Sequence, residues 1–593
     1  MKVRYIFRST IATLVAVTML TACGDFVDIL PKDLVTEDNY WNEKNDVEQF
    51  VSGIYAAMQS DEFISRCVVW GEGRSDHLMA GKNIESGDSH LYELLRENIL
   101  STNFYTRWDA FYNVINKCNI VISRAQEVSE KDPSFTSGDV KATIAEVTAL
   151  RSLCYFYLIR AFKDVPFTRD PVTEEKQYTN LAATSFDEVL SNLISDLEAV
   201  KDDAMSRYPS DNDKTFNSNC NRITRNAINA MLADMYLWSG DYQKCVDACQ
   251  AVIDDKIKEY DNTYSHSIST LDPQLIKHPQ DLGNGYPLYL DGSAQLGSYG
   301  YAFNAIFGTG NSFESIFELC FNNDGGNYNN YAVNTALGRL YGEYKGSSSN
   351  GGAGYFAIPQ DIVTDILNAS VFLISKDDAR YFENMVPDNT YNNATVAKGV
   401  NTRITITYDN TASPVPYRRS IGVNTLQNRN WIFYRLTDVM LMQAEAYACL
   451  ASTANSDADK ELYKKAFFLI YPIENRSYMG PLNNAADMTT FFNFSSYASK
   501  SATEKLVQAA RQRELMFEGK RWFDLVRLAR RSGSMSSIHA AATSKQDGSG
   551  AGLVSSQESM YLPYSKYELK RNTNLKQKEY YASEAGDEYE KSL

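Results

Sequence analysis

The sequence predicts a mainly α-helical protein of packed helix pairs, interrupted by one loop-rich segment with a few short strands. Three observations carry this. Apolar residues recur at three- and four-residue spacing over long stretches of both the first 260 and the last 170 residues. Small residues, Ala227, Ala230 and Ala233, mark one helix face where a neighbour can cross closely. Between the helical blocks, Tyr286 to Phe356 holds fifteen aromatic residues and thirteen glycines with little helical period.

The helical segments follow in order. Asn45 to Gln59, Arg107 to Glu127, Val140 to Phe162, Phe186 to Val200, Arg225 to Ser239 and Tyr242 to Asp254 each show the 3.6-residue pattern, as does Arg435 to Leu450. Gly240-Asp241-Tyr242 ends one helix and starts the next, so that pair resembles a tetratricopeptide unit. Stacked pairs bury each other's apolar faces and leave an extended surface for partners. Ser315 to Leu319 reads as a short strand, and Arg403 to Tyr408 alternates as a strand does. Asp324-Gly325-Gly326 and 346–352 read as turns, and Ser532 to Ser555, rich in Ser, Ala and Gly, reads as an exposed loop. The expected division is a signal at 1–22, a helical region at 23–260, a loop-rich insertion at 261–425 and a helical region at 426–593, together forming one globular unit.

The N-terminus addresses the chain. Lys2, Arg4 and Arg8 precede an apolar run from Ile11 to Leu20, the length of a signal core and too short to span a bilayer. Leu20-Thr21-Ala22-Cys23 looks like a lipobox, in which the chain is cut before Cys23 and its thiol acylated. The expected state is a chain anchored to a membrane by lipid, with no other apolar stretch long enough to cross one.

Composition excludes several classes. The formal charge is -16, against the basic stripes of nucleic-acid binders and against adhesion to anionic lipid. The eight cysteines after Cys23 contain no CxxC pair. Cys245 and Cys249 lie one helical turn apart without the further ligands a zinc site needs. No nucleophile elbow, HExxH, P-loop or dinucleotide fingerprint occurs, and His77 and His90 have no acidic cluster at ligand spacing. The expectation is no catalytic set, no metal and no cofactor.

What remains is recognition by rings and polar groups. The 39 tyrosines outnumber 28 Phe and 6 Trp. A sugar is gripped by a flat ring against its C–H face while Asp, Asn or Arg satisfy its hydroxyls, since an unpaired buried polar group costs about 1–3 kcal/mol. Two segments offer both. The first holds Trp70, Arg74, Asp76 and His77, followed by Asn83 and Tyr92; the second is the aromatic middle, with Tyr299, Tyr328, Tyr331, Tyr341 and Tyr344. These are the candidate ligand residues. Arg511 to Arg527 carries dense charge at helical spacing and reads as an ion-laced helix pair broken at Gly519, a packing device.

The chain resembles the SusD/RagB lipoproteins of Bacteroidetes-type bacteria. The residues that carry the likeness run in order: Cys23 to Pro31; Asp38-Asn39-Tyr40-Trp41; Arg74-Ser75-Asp76; EVTALRSLCYFYLIRAFKDVP from Glu146 to Pro166; Ile223 to Ala248; Glu314 to Glu318; Asp378-Ala379-Arg380; Arg511 to Arg527; and Tyr561 to Tyr564. Arg511 to Arg527, similar to the family's "ER…Ela.EG.RwfDl.R", is the most specific. Departures are Gln512 for the usual acid, Lys163 for the common Gly, and a worn ending at Asn572 to Gln577. The resemblance implies a SusD-like fold and a surface-exposed outer-membrane lipoprotein without enzyme activity. Such a protein binds oligosaccharide and delivers it to a SusC-like TonB-dependent β-barrel transporter. Peptide capture in the RagB manner, a helical glycoside hydrolase and a pure adaptor for the barrel are the alternatives.

Overall fold

The computed structural model describes residues 40–582, apart from 83, 174–179, 209–219, 264–274, 278–284, 293–296, 322–333, 344–351, 360–361, 363–377, 389–392, 401, 410, 412–416, 424–428, 480–491 and 546–548. The export signal and Cys23 lie outside the described residues.

Eleven of the described helices build the scaffold. They are α1 Lys44–Met58, α2 Asp61–Val68, α3 Asp109–Lys131, α4 Ser137–Phe162, α5 Phe186–Val200, α6 Arg225–Ser239, α7 Tyr242–Thr263, α8 Leu436–Leu450, α9 Asp457–Ser477, α10 Lys500–Glu514 and α11 Arg521–Ser532. From α3 to α10 each packs on the next, so α8 lies on α7 although 172 residues separate Thr263 from Leu436. Local chemistry sets the ends. Thr136 and Asp139 form a reciprocal capping box at the start of α4, and Ser456 with Asp459 does the same for α9. Gly240 closes α6 at φ +85°, and Ala227, Ala230 and Ala233 are fully buried where α6 crosses its neighbours.

α4 is the axis of the N-terminal half. From Ala145 to Phe162 every residue is buried, which explains its near-absence of amphipathic contrast. By length and hydropathy it is apolar enough to cross a membrane, contrary to the expectation that no such stretch follows the signal. With 89% of its most apolar window buried inside the protein, it is a core helix. Its C-terminal residue in the turn, Lys163, sits at φ +68° and ψ −83°, and Asp164 N–H bonds back to the Phe162 carbonyl at 3.0 Å. That is the strained γ-turn, which glycine adopts with little penalty.

The insertion is threaded through by short strands: β1 Ser298–Tyr299, β2 Ser315–Leu319, β3 Thr402–Tyr408, β4 Tyr417–Val423 and β5 Trp431–Arg435. β2 pairs antiparallel with β5, and all ten residues are buried. Leu436 N–H then bonds the Glu314 carbonyl at 2.7 Å, so the strand pair locks the insertion to the start of α8. β4, β3 and β1 form a second sheet in that order. The region 532–555, expected as an exposed loop, instead holds the helix Ser536–Thr543, with Ile538, Ala541 and Ala542 buried. Beyond it Lys545 reaches the Gly73 carbonyl at 2.8 Å, a long-range contact that burial holds to a pKa of about 8.

Candidate functional site

The post-helix segment begins with a single π-helical turn, Val69–Gly73, continuing α2. Wide turns of this kind re-aim side chains. Here they aim inward. Trp70 is 2% exposed, donates its indole N–H to the Tyr105 carbonyl at 2.8 Å, and packs against Phe111 and Phe162 at 4.7 and 5.2 Å. Arg74 grips Glu97 at 2.6 and 2.8 Å, donates to the Ser559 and Met560 carbonyls, and stacks over Trp522 at 4.3 Å. His77 is fully buried against Glu72, with Nδ1 2.5 Å from its carboxylate. Asp76 takes Arg521 through two bonds of 2.8 Å. Burial alone would raise its pKa, and the Arg521 charge overrides this and holds the carboxyl below the usual carboxylate range.

This set joins the two ends of the chain. The Glu72 carboxylate accepts backbone N–H groups from Phe517, Lys520 and Arg521. Gly71 lies so close to Gly519 that a Cβ on Gly71 would stand 2.0 Å from the Gly519 carbonyl oxygen. Gly519 itself is at φ +69° with Trp431 against it. Two glycines at this crossing are required by space, not by turn propensity alone.

The charged run 511–527 has the packing role its spacing predicts. Arg511 and Arg527 bracket Asp524 at 2.9–3.0 Å, and Arg527 also reaches Glu445 at 2.7 Å. Glu514 holds Arg435 at 2.7 Å and also bonds Arg476, while Glu518 holds Lys398 at 2.6 Å and Arg435 at 2.8 Å. Burial would push the Glu445 carboxyl up; Arg527 and Arg531 hold it well down.

Trp70, Arg74 and His77, expected on the ligand, are therefore core residues, held through the Trp70 indole N–H, the Arg74 guanidinium and His77 Nδ1, and Asp76 is tied to Arg521. Tyr341 is likewise buried, its hydroxyl 3.0 Å from the Phe517 carbonyl. Tyr299 is 8% exposed. Asn83, Tyr328, Tyr331 and Tyr344 lie outside the described residues. Of the expected set, Tyr92 keeps a half-exposed ring, with Arg96 bonded to its hydroxyl at 3.2 Å.

Two accessible groups stand in their place. The segment 79–96 pairs with 352–357 through Met79–Ala80 and Phe356–Ala357. There Arg339 lies between Asp61 at 2.6 Å and Asp88 at 3.6 Å, and the half-buried Tyr355 ring covers Gly87. The other group is the β4–β3–β1 sheet. Ile404 and Ile406 point into the core while Arg403 and Thr407 face solvent. At the end of β3, Tyr408 is 51% exposed, edge-on to the buried Tyr417 at 5.7 Å, and Tyr417 meets Tyr299 at 6.4 Å. Asp409 and Arg418 form an ion pair beside it. Tyr301, 36% exposed, lies 6.2 Å from Tyr289. Tyr301, Tyr355 and Tyr408 were not among the expected ligand residues. For Tyr408 the signal was present, since strand alternation carries it past the last buried isoleucine.

Comparison with known proteins gives this arrangement a family. Residues 313–581 match the model described as SusD family, and residues 25–237 match the one described as starch-binding, associating with the outer membrane. The chain belongs to the SusD family. SusD-like protein P38 of Formosa agariphila is 22% identical over 526 residues, spanning 87% of this chain and 90% of the relative. SusD-like protein P2 of the same organism is 23% identical over 309 residues, 49% of this chain and 54% of the relative. Among solved structures, a SusD superfamily protein from Bacteroides vulgatus superposes with TM-score 0.62 at 18% identity, covering 91% of this chain and 100% of that one. A laminarin-binding SusD-like protein superposes with TM-score 0.58 at 16% identity over 91% and 100%. This SusD-family chain thus has the mainly helical SusD fold. It falls in a carbohydrate-binding family of outer-membrane-associated proteins whose members bind sugars and are not catalytic.

Proposed function

We propose that the protein is a surface lipoprotein, anchored to the outer membrane through Cys23, that captures an oligosaccharide and delivers it to a SusC-like TonB-dependent transporter. The observation that carries this reading is the pair of SusD-family matches, one in each half of the chain, over a scaffold that buries its strongest charges. Buried ion pairs fix the frame, and the binding capacity is left to exposed rings of the insertion and the 79–96 segment. Tyr92, Tyr301 and Tyr408 supply ring faces, with Asp409, Arg418 and Arg96 near them for hydroxyl groups. Because one structural relative carries laminarin binding in its name, β-glucan oligosaccharides are the first probes to use.

The test is calorimetric titration of the mature protein against a panel of plant, algal and host glycan fragments, with oligopeptides as a parallel panel. Saturable binding of one glycan class without release of reducing ends supports the proposal. Binding of peptides alone, or turnover of the bound glycan, overturns it. Acyl labelling of the wild type but not of Cys23→Ala tests the anchor.

A further inference from the structure

A cleft of about 660 Å³ opens between the N-terminal half of α3, the turn 166–172 that follows α4, and the segment 568–575 near the C-terminus. It belongs to neither accessible group described above. Its volume is in the range of small-ligand pockets. Apolar walls come from Trp108, Ile115, Pro166, Val172, Leu181 and Leu575.

Most of the polar groups in those walls are spent on holding the walls. Asn116 donates to the Val172 carbonyl at 2.8 Å and accepts the Val172 N–H at 2.7 Å. Asn119 donates to the Asp170 carbonyl at 3.3 Å and accepts from Arg151 at 3.0 Å. The Tyr112 hydroxyl donates to the Pro166 carbonyl at 2.5 Å, and Asn572 donates to the Leu181 carbonyl at 2.7 Å. Two consequences follow. The cleft is formed in advance, so a ligand does not have to order it. It also has few groups left to satisfy sugar hydroxyls, which an apolar wall would strip of water at a loss.

Charge at the cleft is uneven. Asp109, Asp170 and Glu568 line it against one guanidinium, Arg571. Asp109 is already met by Arg107 at 3.0 Å and Arg66 at 3.8 Å. Asp170 and Glu568 remain beside Arg571; burial, with the nearby Asp109 charge, holds the Glu568 carboxyl above its usual range even though Trp108 bonds it and Arg571 and Arg107 lie near. An apolar body with a positive group matches both features.

We propose that this cleft is a second binding site, for an oligopeptide that combines aliphatic or aromatic side chains with a basic group. It stands independently of the glycan reading. The test titrates the mature protein with the peptide amide Lys-Leu-Phe-Leu-Lys, its counterpart Glu-Leu-Phe-Leu-Glu, and laminarihexaose. The basic peptide is expected to bind saturably and at least tenfold more tightly than the acidic one. Val172→Trp fills the cleft from a half-buried turn position and is expected to weaken the basic peptide tenfold or more, with the melting temperature unchanged. Glu568→Gln, which keeps size and shape, is expected to narrow the preference for the basic peptide. Equal affinity for both peptides, no binding of either, or binding indifferent to both variants would overturn the site, as would competition between laminarihexaose and the basic peptide. Failure of every glycan to bind would count against the proposed function alone and leave the peptide result standing.

Discussion

Residues 70–77 and the β3–β4 hairpin hold the same kinds of side chain, aromatic rings beside arginines and carboxylates, and use them in opposite ways. In the first, Trp70, Arg74 and His77 are no more than 3% exposed, and Glu72, Arg74 and Asp76 each bond groups more than 400 residues later. In the second, Tyr408 stands half in solvent, and its charged neighbours Asp409 and Arg418 are paired with each other, with Thr411 close by in sequence also donating to Asp409. The difference lies in what the backbone meets. Gly71 abuts Gly519, which brings a whole helix pair onto the first segment; β3 is the middle strand of its sheet, and its last residue, Tyr408, runs out of the sheet into solvent. Composition that suits a ligand also suits a domain joint, and only the contact partner separates the two.

The comparison breaks most visibly at Arg74. Arg74→Ala leaves Glu97 buried without its guanidinium and should cost about 3–5 kcal/mol in urea unfolding, with glycan affinity of the remaining folded protein unchanged. Loss of affinity with stability intact would return the segment to the ligand surface. Gly71→Ala should cost about 2–3 kcal/mol by the same measurement, because the facing atom is backbone and cannot rotate away. On the other side, Tyr408→Ala should weaken glycan binding by roughly tenfold, about 1.4 kcal/mol, with little change in melting temperature. A fall in stability larger than the fall in affinity would make the hairpin a packing element like residues 70–77. The smallest effect sharpens the structural side: Lys163→Gly should stabilise the fold by about 1 kcal/mol by relieving the positive-φ turn after α4. No gain would mean that contacts of the Lys163 side chain offset the backbone strain.

Much of the scaffold was legible because its helices announce themselves locally. Phe186–Val200, Arg225–Ser239 and the strand Ser315–Leu319 fall where period and propensity place them. The start of α4 was read three residues late, at Val140 instead of Ser137, because its first turn is polar and is set by the Thr136–Asp139 capping box. The helix at Ser536–Thr543 was missed because Ser, Ala and Gly read as a loop, and what fixes this region is remote, Lys545 on Gly73. The candidate site was less legible for the same reason. Trp70 bonds Tyr105, and Arg74 bonds residues almost 490 positions later, distances over which periodicity carries no information. Tyr408 could have been found, since it continues the alternation of Ile404 and Ile406 beyond the core.

α4 also bears on how such a protein reaches its destination. On the export route proposed here, this segment passes the inner membrane before it has any fold to hide in, and it is apolar enough to lodge there. Glu146 and Arg151 lie near its middle, and a charge at that depth costs about 2.5–3.5 kcal/mol of insertion. In the finished protein they bond Arg222 and Asp196. Replacing both with leucine should shift newly made chains toward the inner-membrane fraction, so the same two side chains serve passage first and architecture afterwards.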